Sequence, residues 1–259
     1  MKDQRPWRRG LRIAGAVLVV VVMAATARDL AGGSGRPTIS SGRGRDPLTP
    51  SPSAPSGSRD PSAPLLANLI VSNADVAPTL TVAGLQGGNT LSVPTLDLCN
   101  GTYPSEAMRT ARLQVAAVDR QGDTALSTEA VLYSSGTGTT AAFNELKKTA
   151  AACPDGPVDS SSGQPSVTTH FGPAPDAGWP EVPTVERLAY AFDTVSAGGE
   201  TTHSVAVYLR RGRALLGVYF SHADAPTAVV QGHTALGEIV NVFADRLAKL
   251  PVAAVSTTA

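Results

Sequence analysis

Five apolar stretches of the chain, each bounded by turn-forming residues, predict β-strands. These stretches are residues 113–118, 127–134, 186–194, 203–210 and 214–221. The first two predicted strands are separated by residues 119–123, and the last three by residues 197–200 and 211–213; all of these segments are short and polar or glycine-rich. Because connections this short join antiparallel strands, the pattern predicts hairpins.

Two helices are predicted from an apolar spacing near 3.6 residues. Over residues 139–153, Phe143, Leu146, Ala150 and Cys153 share one face, and Pro154 ends the helix. A second helix is predicted over residues 225–250. Its apolar face consists of Leu236, Ile239, Val240, Phe243, Leu247 and Leu250. Ahead of the first strand, residues 65–70 form an apolar lead-in, and residues 72–76 predict a capped helical turn.

The order of these elements predicts an α+β fold. A hairpin followed by a helix occurs twice, so we expect an antiparallel sheet backed by helices, with pseudo-duplicated hairpin-helix halves, over residues 65–250. Residues 155–183 are rich in proline and glycine and predict either a surface excursion or a lid, with a brief strand at 168–171.

The first 30 residues predict export. Basic residues precede an uncharged run at 13–27, and the small-x-small tripeptide Ala25-Thr26-Ala27 provides a cleavage site. The run of fifteen residues is shorter than the roughly 20 that span a membrane comfortably. Residues 1–30 are therefore a signal peptide or an uncleaved signal anchor. Either alternative places the rest of the chain outside the cytoplasm, secreted or anchored by this N-terminal segment.

Composition separates the remaining regions. Residues 31–64 are mostly Gly, Pro and Ser and predict a disordered linker, and residues 251–259 predict a disordered tail. Residues 1–60 hold ten basic and four acidic residues, whereas residues 61–259 hold eleven basic and seventeen acidic ones. The outer domain is thus mildly acidic, which gives no support to nucleic-acid binding. Contact with the membrane is expected only through the N-terminal segment.

The two cysteines, Cys99 and Cys153, predict one disulfide. In an exported chain a single pair of thiols is expected to be oxidised. The alternatives, a free reactive pair or metal ligands, lack a CxxC spacing. The bond would tie the loop around Cys99 to the end of the first predicted helix.

The cysteine loop carries a resemblance to a known family. Residues 98–106 (LCNGTYPSE), Arg109, Arg112, Tyr133 and the Cys153-Pro154 pair resemble the actinobacterial sensor-domain family, which is similar to the extracytoplasmic domain of the mycobacterial receptor Ser/Thr kinase H. The resemblance covers residues 65–250. It implies an α+β cell-envelope domain with a binding cleft for a ligand, and it implies no catalytic activity.

Four polar side chains beside this loop are candidate ligand-binding residues: Tyr103, Glu106, Arg109 and Arg112. Two arginines three positions apart could hold an anionic ligand by paired hydrogen bonds. The alternative is that they form structural ion pairs, for example with Asp97 or Glu106. The ligand itself would be an envelope component: a lipid, a wall fragment or a protein.

Signatures of enzymes and cofactors are weak in this sequence. Residues 136–141 (GTGTTA) fit the dinucleotide-binding GxGxxA pattern, but the glycines serve a strand-to-helix turn more simply. The four histidines are scattered, although His203 and His222 could approach each other across a hairpin. We therefore expect no catalytic residue, metal or cofactor. Two functions remain: a non-catalytic binding domain, which we favour, and a secreted hydrolase with an unrecognised active site.

Overall fold

A computed structural model of the chain describes residue 58 and residues 60–153, 156–158, 167–195, 199, 201–223 and 227–256. The predicted export segment and the predicted linker up to residue 57 lie outside these residues. In the described part of the chain, no helix is long and apolar enough to cross a membrane.

Within the described residues, eight strands form one antiparallel sheet in the order β1-β2-β3-β8-β7-β6-β5-β4. The strands are β1 (Thr81–Gly84), β2 (Arg109–Val118), β3 (Thr124–Tyr133), β4 (Gly156–Val158), β5 (Val167–Phe171), β6 (Glu186–Val195), β7 (Thr201–Arg211) and β8 (Ala214–Ser221). The helices are α1 (Gly136–Ala152), α2 (Leu236–Ala248) and the short α3 (Val252–Val255). The described chain also has 3-10 turns at Ala63–Asn68, Leu98–Asn100 and Pro104–Met108.

The α+β class is confirmed. A hairpin is followed by a helix in both halves, as the sequence predicts, and β3 of one half pairs directly with β8 of the other. These two central strands are almost wholly buried, because each has paired neighbours at both edges and a packed layer on both faces. The two halves therefore share one sheet.

The two long helices cover opposite faces of this sheet. On β8, Leu216, Val218 and Phe220 pack in the same core cluster as the apolar stripe of α2, and we call this side the α2 face. The alternate residues Leu215 and Tyr219 pack in the cluster that contains the buried stripe of α1, which defines the α1 face. Strand alternation thus divides the core into two layers with different chemistry.

Helix α2 is shorter than predicted. It begins at Leu236, because residues 230–233 form a tight turn: Val230 and His233 pair as an isolated bridge, and Gln231 and Gly232 have positive φ. The predicted helical turn at 72–76 is a short turn in which the Asp75 carboxylate accepts the Ser72 backbone N–H at 2.8 Å.

The described parts of residues 155–183 contribute β4 and β5 to the sheet edge. Of these, the sequence predicts only the strand that became β5. Strand β1, at the opposite edge, was not predicted, since its four residues are too short to show a period.

Packed structure extends beyond residues 65–250 at both ends. Asp60 forms an ion pair with Arg213, and both side chains are buried. At the other end Ala254 and Val255 are buried, and Arg213 donates from Nε to the Ala254 carbonyl at 2.9 Å. Residues 60–64 and 251–256, which the sequence assigns to linker and tail, are therefore part of the folded domain.

Candidate functional site

The disulfide between Cys99 and Cys153 is present, with a Cα–Cα distance of 5.8 Å. It joins the 3-10 turn at Leu98–Asn100 to the residue that caps α1. With a sequence separation of 54, it stabilises the fold by about 4 kcal/mol in the chain-entropy model. The segment on the N-terminal side of Cys99 is thereby held against the α1 face.

Arg109 is committed to the same segment. Its Nη1 donates to the Val93 carbonyl at 2.9 Å and to Thr95 Oγ1 at 2.8 Å, and its Nη2 donates to the Leu91 carbonyl at 2.8 Å. An ion pair of 2.9 Å joins Nη2 to Glu106. The guanidinium thus ties the backbone of this segment, through the carbonyls of Leu91 and Val93, to the start of β2.

Arg112 makes an equally complete set of internal contacts. Its Nε donates to Glu129 Oε1 at 2.5 Å, Nη1 to the Gly87 carbonyl at 2.7 Å and Nη2 to Gln114 Oε1 at 2.6 Å. The side chains of Arg112 and Glu129 are 2 % and 1 % exposed, so this is a fully buried ion pair. Such a pair needs extra hydrogen bonds to offset desolvation, and Thr95 provides one to Glu129.

Glu106 and Tyr103 complete the group that the sequence identifies. The Glu106 carboxylate accepts the backbone N–H groups of Thr95 and Leu96 at 2.8 and 3.1 Å, and burial raises its pKa despite the neighbouring Arg109 charge. The Tyr103 hydroxyl donates to the Leu98 carbonyl at 2.8 Å. All four candidates therefore lie together and hold the 87–98 segment on the sheet, which supports the structural alternative for the arginines.

A different set of polar groups lacks partners. In the described part of the chain, seven buried side-chain atoms have no hydrogen-bond partner. They are Asp97 Oδ1, the hydroxyls of Tyr133, Tyr208, Tyr219, Thr169 and Thr194, and Arg210 Nε. Alternate residues of a strand lie on the same face of the sheet. This alternation and the core clusters place all seven on the α1 face. Because buried polar groups are normally satisfied, their concentration on one face calls for a physical explanation.

Three of the seven form a compact cluster. The rings of Tyr208 and Tyr219 meet edge to face with centroids 5.8 Å apart. The Tyr219 hydroxyl folds back over Gly217, where a Cβ would collide with it. In the sheet, Gly217 pairs with Glu129 on β3 and with Tyr208 on β7. The Tyr219 hydroxyl therefore lies over the position between Glu129 and Tyr208. Asp97, just before the disulfide turn, is near enough for its charge to raise the pKa of Tyr208.

Burial shifts the pKa of every member of this cluster upward, which favours the protonated forms. Desolvation, reinforced by the charges of Glu129 and Glu106, raises the pKa of Asp97 well above its ordinary value. Desolvation likewise raises the pKa of Tyr208 and of Tyr219. The two phenols, and the carboxyl group of Asp97 in its protonated form, can each donate and accept a hydrogen bond.

A row of aromatic rings leads from this cluster to the surface. Tyr190 lies 6.4 Å from Tyr208, and Phe171 lies 6.2 Å from Tyr190 and 5.6 Å from Phe192. Tyr190 and Phe171 are partly exposed, whereas Tyr208 is fully buried. We call the whole set the α1-face track; it consists of Asp97, Thr169, Phe171, Tyr190, Phe192, Thr194, Tyr208 and Tyr219.

No signal in the sequence distinguishes the track from ordinary core. Tyr208 and Tyr219 stand at inward positions of apolar strands, as core residues do. That their hydroxyls lack hydrogen-bond partners can be recognised only in the folded structure, where the 87–98 segment packs over the sheet.

The remaining candidates are structural or lie at the surface. Residues 136–141 form the start of α1, where the Ser135 side chain caps the Gly138 N–H, as a strand-to-helix turn requires. His203 Nδ1 lies 2.5 Å from Asp193 Oδ1, and both side chains are nearly half exposed. Its carbonyl accepts the Ala223 N–H, so His203 and the neighbouring His222 lie near each other across β7 and β8. Among the described residues, no three His, Cys, Asp or Glu side chains are arranged to hold a metal ion.

A concavity of about 360 Å³ lies along α2, on the opposite side of the sheet from the α1-face track. Its lining includes Gln231, His233 and Arg246. Arg246 is committed to the Ile70 carbonyl at 2.9 Å and to Asp75. The concavity is thus lined by polar groups of mixed type, and its arginine is already bonded to other parts of the fold.

Solved structures that are similar to this chain include two from mycobacteria. The extracellular domain of PknH from Mycobacterium tuberculosis matches at 11% identity and a TM-score of 0.41, covering 68% of this chain and 80% of that domain. A protein from Mycobacterium smegmatis, described as an Rv0999 ortholog, matches at 11% identity and a TM-score of 0.34, covering 66% of this chain and 89% of its own. No protein-family model and no curated protein matches the chain.

Proposed function

We propose that this chain is an exported protein whose residues 60–256 form a non-catalytic, extracytoplasmic, sensor-like domain that binds an envelope ligand in the α1-face track. The observation that carries the proposal is the set of unpartnered buried atoms at Asp97, Tyr208 and Tyr219. A binding site needs a few convergent polar groups in an otherwise apolar wall, and the track combines both.

The disulfide supports the extracytoplasmic part of this proposal. A Cys99–Cys153 bond persists in an oxidising compartment, which an export segment at residues 1–30 would reach. The Gly/Pro/Ser-rich segment that follows would then serve as a spacer. Residues 1–30 would act as signal peptide or signal anchor.

The chemistry of the track favours binding over catalysis. Among the described residues it brings together phenols and a carboxyl group whose pKa values burial raises. A nucleophile, by contrast, requires an adjacent base to activate it. The exposed His203–Asp193 pair lies on the α2 face and so does not meet the track.

The proposal is tested by a thermal-shift screen of the purified chain against envelope lipids and wall fragments. A ligand that binds the folded state raises Tm. We expect at least one hit whose shift is reduced severalfold by Tyr190→Ala, since Tyr190 is a partly exposed ring of the track.

Trp179→Ala is the matched control, because Trp179 is a half-buried aromatic residue that packs on α2 at the opposite face. It should leave the shift of each hit unchanged. Hits that respond to neither substitution would refute the assignment of the site.

A further inference from the structure

The track offers no unpaired positive charge to a ligand. Arg109 and Arg112 donate to protein acceptors from both terminal nitrogens. Arg210 has one unpartnered nitrogen, but its other groups bind Glu186 and Thr140, and its guanidinium lies 5.3 Å from the centre of the Phe143 ring. An anionic ligand would therefore have to break existing ion pairs, which makes a neutral ligand the better match.

Hydroxyl groups stand at both ends of the track. Thr169 and Thr194 face each other in register on β5 and β6, and both are almost fully buried with unpartnered hydroxyls. Tyr208 and Tyr219 provide the hydroxyls at the other end. Each of these groups can both donate and accept a hydrogen bond, as the hydroxyl groups of a ligand can in return.

The distance between the two ends indicates an elongated ligand. Thr194 pairs with Thr202, which precedes Tyr208 by six residues on the same strand. At the rise of an extended strand this spans about 20 Å. A buried water satisfies polar groups that surround one point, so a single water cannot serve both ends.

Aromatic rings occupy the middle of this span. Phe192, Phe171 and Tyr190 lie between the hydroxyl pairs, within 7 Å of their neighbours. Such rings pack against the C–H faces of a sugar ring, while the sugar hydroxyls require partners of the kind found at the two ends.

We infer that the α1-face track binds a neutral oligosaccharide, with sugar rings on Phe171 and Tyr190 and sugar hydroxyls bonded to Tyr208, Tyr219, Thr169 and Thr194. This inference rests on the proposed function and adds the class of ligand. Since the unpartnered atoms are closed to solvent, the ligand must displace side chains that cover them. Association should therefore be slower than that of a preformed open site.

The test uses calorimetry to measure the affinity of the full chain for neutral tetrasaccharides of glucose, N-acetylglucosamine and arabinose. Tetragalacturonate and palmitate serve as anionic and lipid probes. We expect one neutral probe to bind most tightly. Tyr208→Phe and Tyr219→Phe should each weaken it roughly two- to tenfold, the value of one hydrogen bond.

Tyr103→Phe is the matched control, since it also removes one buried hydroxyl, but one that is bonded to the Leu98 carbonyl. It should lower Tm and leave the affinity unchanged. Tyr208→Phe should do the opposite: the unliganded Tm stays level or rises, because an unsatisfied hydroxyl is lost, while affinity falls.

Three results would overturn the inference. Tighter binding of tetragalacturonate or palmitate, still sensitive to Tyr190→Ala, would leave the proposed function standing and refute the saccharide class. Neutral binding that is insensitive to both tyrosine substitutions would place the saccharide elsewhere. A lower unliganded Tm in Tyr208→Phe, without an affinity change, would show that the hydroxyl holds structural water.

Discussion

At the scale of single residues, the pKa values of two aspartates are shifted in opposite directions, because hydrogen bonds from an arginine dominate at one carboxylate and burial dominates at the other. Hydrogen bonds from Arg213 lower the pKa of Asp60 to about 2, although burial alone would raise it. Asp97 has an unpartnered oxygen beside other carboxylates, so desolvation and their charges raise its pKa. The ionised form of Asp60 therefore stabilises the fold, and the ionised form of Asp97 destabilises it.

The two pKa shifts predict stability changes of opposite sign for Asp60→Asn and Asp97→Asn. Asp60 contributes stability above its unfolded pKa of 3.8, and this is lost as pH falls toward 2. Asp97 contributes stability below 3.8, which is lost as pH rises through its raised pKa. At about pH 7, Asp60→Asn should lower the free energy of unfolding and Asp97→Asn should raise it. Urea unfolding across the acid range measures both.

Each variant controls for the other, since both replace one buried carboxyl group by an amide. Below pH 3.8 the difference between Asp97→Asn and the parent should vanish, because the parent carboxyl is then protonated in both states. A destabilised Asp97→Asn near pH 7 would mean that the carboxylate is ionised and paired in the folded protein.

At the scale of elements, the 87–98 segment has almost no regular structure of its own. It is held by side chains of the adjacent strand, by Glu106 and by the disulfide that follows it. Arg112 is central, because it connects Gly87 to Glu129 across β2 and β3. The position of Asp97 in the track therefore depends on the buried Arg112–Glu129 ion pair, which holds the segment through Gly87 and Thr95.

Arg112→Met should be strongly destabilising. It leaves the Glu129 carboxylate buried without its charge partner, which costs about 3–5 kcal/mol. Arg187→Met is the matched control, since Arg187 pairs with the partly exposed Asp176 and its loss should cost under about 1 kcal/mol. Chemical denaturation compares the two. Glu129→Gln in the Arg112→Met background should recover part of the loss, and equal costs for the two arginine variants would contradict the buried pair.

At the scale of the whole molecule, the two ends of the folded domain, far apart in sequence, both contact Arg213. Asp60 pairs with its guanidinium from one end, while Ala254 and Val255 accept its Nε–H and backbone N–H from the other. The guanidinium also donates to the Tyr133 carbonyl at the end of β3, at 3.0 Å. The two ends of the domain thus close on the centre of the sheet.

A fragment of residues 65–250 should therefore be much less stable than one of residues 58–256. The shorter fragment leaves Arg213 buried without its carboxylate, a loss of about 3–5 kcal/mol, and removes two carbonyl acceptors as well. Thermal unfolding of both fragments measures the difference. Equal Tm values would show that the terminal contacts contribute nothing.

The sequence by itself determined the α+β class, most strands, both long helices and the disulfide partners. These depend on local periodicity, on turn chemistry and on having two cysteines, all of which are written along the chain. It also singled out the Tyr103–Arg112 group, whose members lie together beside the bridge in the structure. Their role depends on partners such as Val93 and Glu129, and sequence spacing cannot show which acceptors they reach.

Only the tertiary structure decided where polar groups lack partners. Tyr208 and Tyr219 look like ordinary core positions in the sequence, and Asp97 looks like a loop residue. Whether a buried hydroxyl is satisfied depends on the register of distant strands and on the segment packed above them. Since hydrogen-bond satisfaction is a property of three-dimensional neighbours, the α1-face track appears only when the sheet and its covering loop are assembled.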